Sequence, residues 1–230
     1  MTLGAPPLRP PPGACWVKVC CVTSVAELEL AAGAGAQAVG LVGPMPSGPG
    51  VIDEARIREL AAAAPPGCTP VLLTSRDTAA GIAAQVAETG VAAVQVCRPL
   101  APEVAAELRR LLPAHVPAIH VVHVDGPEAL ARARALEPHS DAILLDSGAP
   151  DATTPRLGGT GAVHDWPLSA QIRAAVACPV LLAGGLRPSN VAQAVREVAP
   201  AWVDVCTGLR PNRGLDPELL RAFLEAVNAA

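Results

Sequence analysis

Two side chains in this sequence, the thiol of Cys20 and the carboxyl of Asp146, are of types that transfer protons in enzymes. Each ends a short apolar run, VKVC in the first case and AILLD in the second. Buried parallel strands present catalytic groups at their carboxyl ends, where burial raises the pKa of a carboxyl group. A general acid and a general base are therefore one interpretation; a small buried cysteine and a loop-bracing aspartate are the other.

Cys20 would need help to act as a base, because a free thiol has a pKa of about 8.5. Lys18, the only lysine in the chain, lies two residues earlier and so shares a strand face with Cys20. Asp204, two residues before Cys206 in the last apolar run, points inward by the same parity. We expect Lys18 and Asp204 to support the site, or to fill a polar layer beneath it.

Glycine-containing turns follow two later apolar runs. Gly184 and Gly185 follow VLLA, and Thr207 and Gly208 follow VDVC. Without a Cβ, glycine lets backbone N–H groups approach phosphate oxygens and permits the positive φ of an anion-binding turn. These four residues are predicted to bind phosphate, with the Thr207 hydroxyl as an additional donor.

Eight Val-, Leu- and Ile-rich runs alternate with stretches of helical period, which is typical of strand–helix units around a parallel sheet. Strands are predicted at 16–20, 38–42, 70–74, 93–96, 118–122, 142–145, 180–182 and 203–206. Helices are predicted near Val25, Glu54, Thr78, Pro102, Pro127, Leu168, Ser189 and Pro217, with N-caps at Ser24, Asp77, Ser189 and Asp216. The α/β class follows, as a single (β/α)8 TIM barrel over residues 15–230, although an open doubly wound sheet also fits. Residues 1–14, with five prolines, are predicted to be a mobile tail.

The amino-acid composition limits the classes of ligand that this protein is expected to bind. With three Trp, one Phe and no Tyr, the chain has few aromatic side chains on which nucleic-acid bases could stack. A net charge of −4 gives no positive surface that would attract nucleic acid or an anionic membrane. No apolar span approaches the roughly 20 residues that cross a bilayer. The seven cysteines lack metal-ligand spacing and disulfide-scaffold density, which indicates a reduced, cytoplasmic protein without a metal site.

Taken together, VKVCC, LLD, GGTG, LLAGG and VDVCTG resemble the phosphoribosylanthranilate isomerase family over nearly all of the chain from Val17 onward. The resemblance implies a cofactor-free Amadori rearrangement of a phosphorylated ribosylamine in tryptophan biosynthesis. Asp146 would then protonate the ring oxygen, and Cys20 would remove the C2′ proton. Gly159, Thr160 and Gly161 in the sixth loop would close over the sugar phosphate.

Around the aglycone, the chain departs from the family's usual pattern. Cys21 stands where the family has glycine, and residues 46–50 contain no arginine to hold the anthranilate carboxylate. The usual Gln-Leu-His-Gly is Gln95, Val96, Cys97 and Arg98. Arg98 either replaces the carboxylate anchor or is a solvated loop residue.

His120 and His123 stand where the family often has basic residues, and they have opposite parity. At most one can line the pocket, and Gln95, Arg98 and His123 are the predicted substrate-binding residues on this side. We expect a sugar-phosphate isomerase with an altered aglycone pocket. The alternatives are a specialised-pathway enzyme for another ribose-phosphate derivative and a catalytically silent sugar-phosphate binder. The predicted partner is a small-molecule sugar phosphate, and the predicted state is a monomer or homodimer.

Overall fold

The computed structural model describes residues 8–46, 48–147, 165–212 and 214–230. They form a closed barrel of eight parallel strands in chain order. The strands are β1 (Trp16–Val19), β2 (Ala38–Val42), β3 (Thr69–Thr74), β4 (Ala93–Val96), β5 (Ala118–His123), β6 (Ala142–Asp146), β7 (Val180–Leu182) and β8 (Trp202–Val205). The helices are α1 (Val25–Gly33), α2 (Glu54–Ala63), α3 (Ala79–Thr89), α4 (Pro102–Leu111), α5 (Glu128–Leu136), α6 (Trp166–Ala175), α7 (Val191–Val198) and α8 (Pro217–Asn228).

The predicted single barrel is confirmed, and the open doubly wound alternative is wrong. Pairing of β1 with β8 closes the sheet, with Val19 opposite Val205. Long-range pairing of this kind has no local signature, because each strand–helix unit looks the same in either architecture. Closure brings the first and last loops together.

Two separate apolar clusters follow from the alternation of side chains along each strand. One fills the space between strands and helices, and Val39, Leu72 and Val94 belong to it. The other fills the barrel interior, and Val71, Ala93 and Leu144 belong to it. Inward parity therefore decides which polar side chains can reach the barrel mouth.

Helix starts agree with the sequence predictions in part. Ser24 and Asp216 are N-caps whose side chains accept backbone N–H groups of the first turn, as predicted. The predictions at Asp77 and Ser189 are wrong by one residue, because Thr78 is the N-cap of α3 and Asn190 that of α7. Cap-forming residue types stand side by side at both places, so propensity alone cannot separate them.

Residues 8–14 lie at the amino-terminal end of the barrel. Leu8 packs against the interior cluster, and its carbonyl accepts a hydrogen bond from Trp202 Nε1 at 2.8 Å. Arg9 donates to the carbonyl of Ala177 at 2.6 Å. The Trp16 and Trp202 rings meet edge to face at 5.0 Å. The 1–14 boundary and the mobility of the tail stay predictions. None of the helices in the described ranges is long and apolar enough to span a membrane.

Candidate active site

Cys20 and Asp146 occupy the carboxyl-terminal mouth of the barrel, as parity requires. Cys20 belongs to the interior cluster one residue beyond β1, and Asp146 is the last residue of β6. Their exposed fractions are 6% and 7%. The two groups sense each other's charge, since ionised Cys20 acts to raise the pKa of Asp146. Two residues 126 positions apart in the sequence thus lie at the same end of the barrel, within range of each other's charge.

Beneath Cys20, a buried ion pair forms the polar floor. Lys18 Nζ lies 2.9 Å from Asp204 Oδ1, and the two side chains are 1% and 8% exposed. Burial raises the pKa of Asp204 to about 7, although the Lys18 charge opposes that shift. Burial acts to lower the pKa of Lys18, but the charges of Asp204 and Cys20 outweigh it and raise the pKa. The ammonium group of Lys18, whose pKa is raised, therefore lies under the thiol.

The surroundings of Cys20 favour its thiolate. Hydrogen bonds from the side chains of Cys206 and Cys21 lower the pKa of Cys20 well below its usual value, burial opposes them, and the Lys18 charge adds to the lowering. Cys21 Sγ is 3.7 Å from Cys20 Sγ. Cys206 is the residue after β8, which pairs with β1. A base with a lowered pKa is ionised nearer neutral pH, as proton abstraction requires.

The surroundings of Asp146 favour its protonated form. Burial raises its pKa, while the Ser147 N–H, at 2.7 Å from Oδ1, and the charge of His123 oppose that shift. His123 is the partner of Asp146 in the β5–β6 register. Burial lowers the pKa of His123, and Asp146 acts in the other direction. A carboxyl group with a raised pKa keeps the proton that a general acid donates.

The two histidines of β5 face opposite ways, as their parity predicts. His120 Nδ1 lies 2.9 Å from Ser140 Oγ on the outer side of β5. Burial lowers the pKa of His120 to about 4. His123 has the parity of Ile119 and Val121, which belong to the interior cluster. Only His123 of the two therefore lies at the mouth.

The four residues predicted to bind phosphate lie at the ends of neighbouring strands, β7 and β8. Gly184 and Gly185 have φ values of 84° and 62°, which favour glycine. A Cβ on Gly208 would lie 1.9 Å from the Leu186 carbonyl oxygen, so the two loops touch through backbone alone. None of the backbone N–H groups of Gly184, Gly185, Thr207 and Gly208 donates to a backbone carbonyl of the described residues. N–H groups without a backbone partner among the described residues are what an anion-binding turn offers.

On the β4 side, Gln95 and Cys97 face inward. Gln95 is 4% exposed, and its Nε2 lies 3.7 Å from Cys97 Sγ. Burial raises the pKa of Cys97 to about 12, so this thiol stays neutral. Arg98 points towards the β3–α3 loop, where its Nη1 lies 3.9 Å from Asp77 Oδ2 with 41% of its side chain exposed.

Gly159, Thr160 and Gly161 lie outside the described residues.

Sequence reasoning missed a connection that ties the eighth loop to the first. Arg210 Nη1 lies 2.6 Å from Glu27 Oε1, and Arg210 Nη2 lies 3.2 Å from the Cys20 carbonyl oxygen. Glu27 also accepts from the N–H groups of Thr23 and Leu215, each at 3.0 Å. Burial acts to raise the pKa of Glu27, but the hydrogen bonds from Arg210, Thr23 and Leu215 lower it. No sequence signal relates positions 183 residues apart.

Among the described residues, no group of three or more His, Cys, Asp and Glu side chains converges as a metal site would require.

Known proteins resemble this chain over almost its whole length. The family described as N-(5'phosphoribosyl)anthranilate (PRA) isomerase matches residues 17–226. N-(5'-phosphoribosyl)anthranilate isomerase of Haloferax volcanii is 40% identical over 216 residues, 93% of each chain. N-(5'-phosphoribosyl)anthranilate isomerase 2 of Methanosarcina mazei is 37% identical, covering 88% of this chain and 89% of that protein. The structure of phosphoribosyl anthranilate isomerase from Thermococcus kodakaraensis has a TM-score of 0.76 at 30% identity, covering 94% of this chain and 99% of that one.

Proposed function

The chain belongs to the N-(5'-phosphoribosyl)anthranilate (PRA) isomerase family, and from that premise we propose that it isomerises PRA to the 1-amino-1-deoxyketose phosphate in tryptophan biosynthesis. It would be an intramolecular oxidoreductase of the aldose–ketose isomerase type. The observation that carries this proposal is the pair at the barrel mouth, Cys20 with a lowered pKa and Asp146 with a raised one. Opposite shifts of two buried groups support opposite roles in proton transfer.

The reaction begins with the phosphate held between the loops after β7 and β8. The N–H groups of Gly184, Gly185, Thr207 and Gly208 would donate to its oxygens and fix the sugar in the mouth. Asp146 donates its proton to the ring oxygen, and the nitrogen lone pair opens the ring to the protonated imine at C1′. The Cys20 thiolate then removes the C2′ proton, and the electron pair of that C–H bond forms the enolamine. Tautomerisation of the enolamine gives the ketone.

Lys18 and His123 would balance the charges that change during these proton transfers. Lys18 keeps a positive charge beneath Cys20 and so favours the thiolate over the thiol. As Asp146 gives up its proton, the neighbouring imidazole of His123 can stabilise the new carboxylate. Proton transfers by positioned groups of this kind contribute about 10²- to 10⁴-fold in rate.

Turnover of PRA, followed by loss of its fluorescence, tests the proposal. Cys20→Ala and Asp146→Ala should each lower kcat by at least about 10²-fold. Cys68→Ala is the matched control, because Cys68 is also buried but lies just before β3, at the opposite end of the barrel. Phosphate-ligand binding without turnover would instead identify a silent sugar-phosphate binder. Turnover of another ribose-phosphate derivative, with none of PRA, would identify a specialised enzyme.

We also propose that the aglycone pocket is altered. Residues 46–50 offer no arginine, and Arg98, whose Nη1 lies 3.9 Å from Asp77 Oδ2, is a candidate cation to replace it. Loss of a charged hydrogen bond to the anthranilate carboxylate costs roughly 1.5 to 3 kcal/mol. Arg98→Ala should therefore raise KM about tenfold or more for PRA and leave unchanged the KM of an analogue without the carboxylate. An equal effect on both compounds contradicts an anchoring role.

All seven cysteines are free, which agrees with a reduced cytoplasmic compartment. No cofactor enters the proposed steps. Sedimentation of the purified protein would distinguish a monomer from a homodimer.

A further inference from the structure

Cys21 has a backbone conformation that a residue with a Cβ rarely adopts. Its φ is 65°, although its side chain is buried. Among the described non-glycine residues, Ala199 is the other with positive φ, and it is the αL cap that ends α7. Cys21 ends no helix and follows the proposed base directly. An unfavourable conformation kept next to a reacting group indicates a function.

The conformation brings the Cys21 thiol to Cys20. Cys21 Sγ lies 3.7 Å from Cys20 Sγ, within hydrogen-bond distance for sulfur. Behind Cys21, the second loop closes tightly, because a Cβ on Gly50 would lie 2.7 Å from Cys21 Cβ. Gly50 itself has φ of 73°. The side chain of Cys21 is thus held between the second loop and Cys20 and cannot turn freely to water.

Cys206 comes to Cys20 from the neighbouring strand, β8. The Cys20 N–H donates to the Val205 carbonyl at 2.8 Å, which fixes the two strand ends side by side. Cys206 follows Val205 directly, so its thiol lies close enough to act on the pKa of Cys20. Three thiols from two neighbouring loops therefore meet where one proton is to be abstracted.

We propose that Cys21 and Cys206 are positioning residues that donate S–H hydrogen bonds to Cys20 and hold it as a thiolate aimed into the mouth. This inference rests on the proposed function for the role of Cys20 as the base. An S–H group is a weak donor to neutral acceptors, but a hydrogen bond to an ionised acceptor is about twice as strong. Only one of three adjacent thiols can ionise easily, because a second negative charge beside the first is unfavourable.

The order of ionisation agrees with this arrangement. Hydrogen bonds from Cys206 and Cys21 are the largest influences that lower the pKa of Cys20. The same hydrogen bond to Cys20 is the largest influence that raises the pKa of Cys21, and likewise that of Cys206. Cys20 thus ionises first, and its two neighbours keep the protons that they donate.

Ultraviolet titration of thiolate absorbance tests the proposal without substrate. The titration that disappears in Cys20→Ser belongs to Cys20. In Cys21→Gly and in Cys206→Ala, we expect that titration at higher pH, with about tenfold less thiolate at a fixed pH below the midpoint. Cys21→Ser and Cys206→Ser retain a donor and should restore a titration near that of the wild type. Cys68→Ala, whose thiol lies far from the mouth, is the control and should change nothing.

Cys21→Gly separates positioning from a merely structural role. Glycine relieves the positive φ, so its thermal stability should be equal or higher even as the Cys20 titration moves. A more stable Cys21→Gly with an unmoved titration would overturn the proposal. An unmoved titration in Cys206→Ala would overturn it as well.

The two experiments distinguish failure of the proposed function from failure of the thiol arrangement. If the Cys20 titration moves as expected but PRA is not consumed, the thiol arrangement stands and the function is wrong. If PRA is consumed but neither variant moves the titration, the function stands and the thiol arrangement is wrong.

Discussion

Replacing Gly208 by alanine should disable the phosphate loops through a single methyl group. The added Cβ would lie 1.9 Å from the Leu186 carbonyl oxygen and 3.1 Å from Arg187 Cβ. A carbon–oxygen contact needs about 3.3 Å, so the two loops must separate by about 1.4 Å. A displacement of about 1 Å in a positioning element can cost about 10²-fold in rate. We therefore expect kcat/KM for PRA to fall about 10²-fold, because the phosphate is gripped less well.

Gly214→Ala is the matched control in the same connection. Gly214 lies six residues further on, and a Cβ there meets nothing within 4 Å. It should leave kcat/KM near the wild-type value. Steady-state PRA kinetics give both values, and inhibition by inorganic phosphate reports the loop directly. Its inhibition constant should rise in Gly208→Ala and stay unchanged in Gly214→Ala.

Thermal unfolding separates a local from a global effect. Overpacking by one methyl group costs about 1 to 3 kcal/mol, which a barrel of this size should tolerate. A folded Gly208→Ala protein with wild-type kcat/KM and phosphate inhibition would refute the assignment of these loops to phosphate. Equal losses in both alanine variants would also refute it, because the close backbone contact would then explain nothing.

Three further predictions concern the charges around the mouth. Lys18→Met should lower the free energy of unfolding by about 3 to 5 kcal/mol in chemical denaturation, because Asp204 is left buried without its cation. The double variant Lys18→Met/Asp204→Leu should recover most of that loss, and no recovery would contradict the pairing. Glu27 has a lowered pKa, so it stabilises the fold above its unfolded pKa and loses that contribution as pH falls. Melting curves of Glu27→Gln should therefore depend less on acid pH than those of the wild type. The acidic limb of the kcat/KM profile should lie well below the ordinary thiol pKa of about 8.5, since Cys20 must be deprotonated; a limb near that value would contradict an activated thiol.

Local pattern determined much of this protein. Strand and helix order follows from the period of apolar residues, and inward parity follows from the two-residue alternation of a strand. Parity alone places Lys18 on the face of Cys20 and separates His123 from His120. The prediction that the glycines after the seventh and eighth strands bind phosphate likewise needed only the backbone chemistry of each segment.

Helix boundaries show where local reasoning fails first. Thr78 and Asn190 cap their helices although Asp77 and Ser189 stand beside them. Both members of each pair are capping types, and the choice depends on how the preceding loop packs.

Only the tertiary structure decided which distant residues meet. The pairing of β1 with β8 places Cys206 beside Cys20, and the contact of the seventh and eighth loops leaves no space for a Cβ on Gly208. The ion pair of Lys18 with Asp204 and the bridge of Arg210 to Glu27 depend on the same closure. Periodicity describes each strand by itself, whereas these contacts depend on register between strands far apart in the chain. The order of the elements could therefore be predicted from the residues. The charges and hydrogen bonds around Cys20 depend on contacts that form only when the barrel closes.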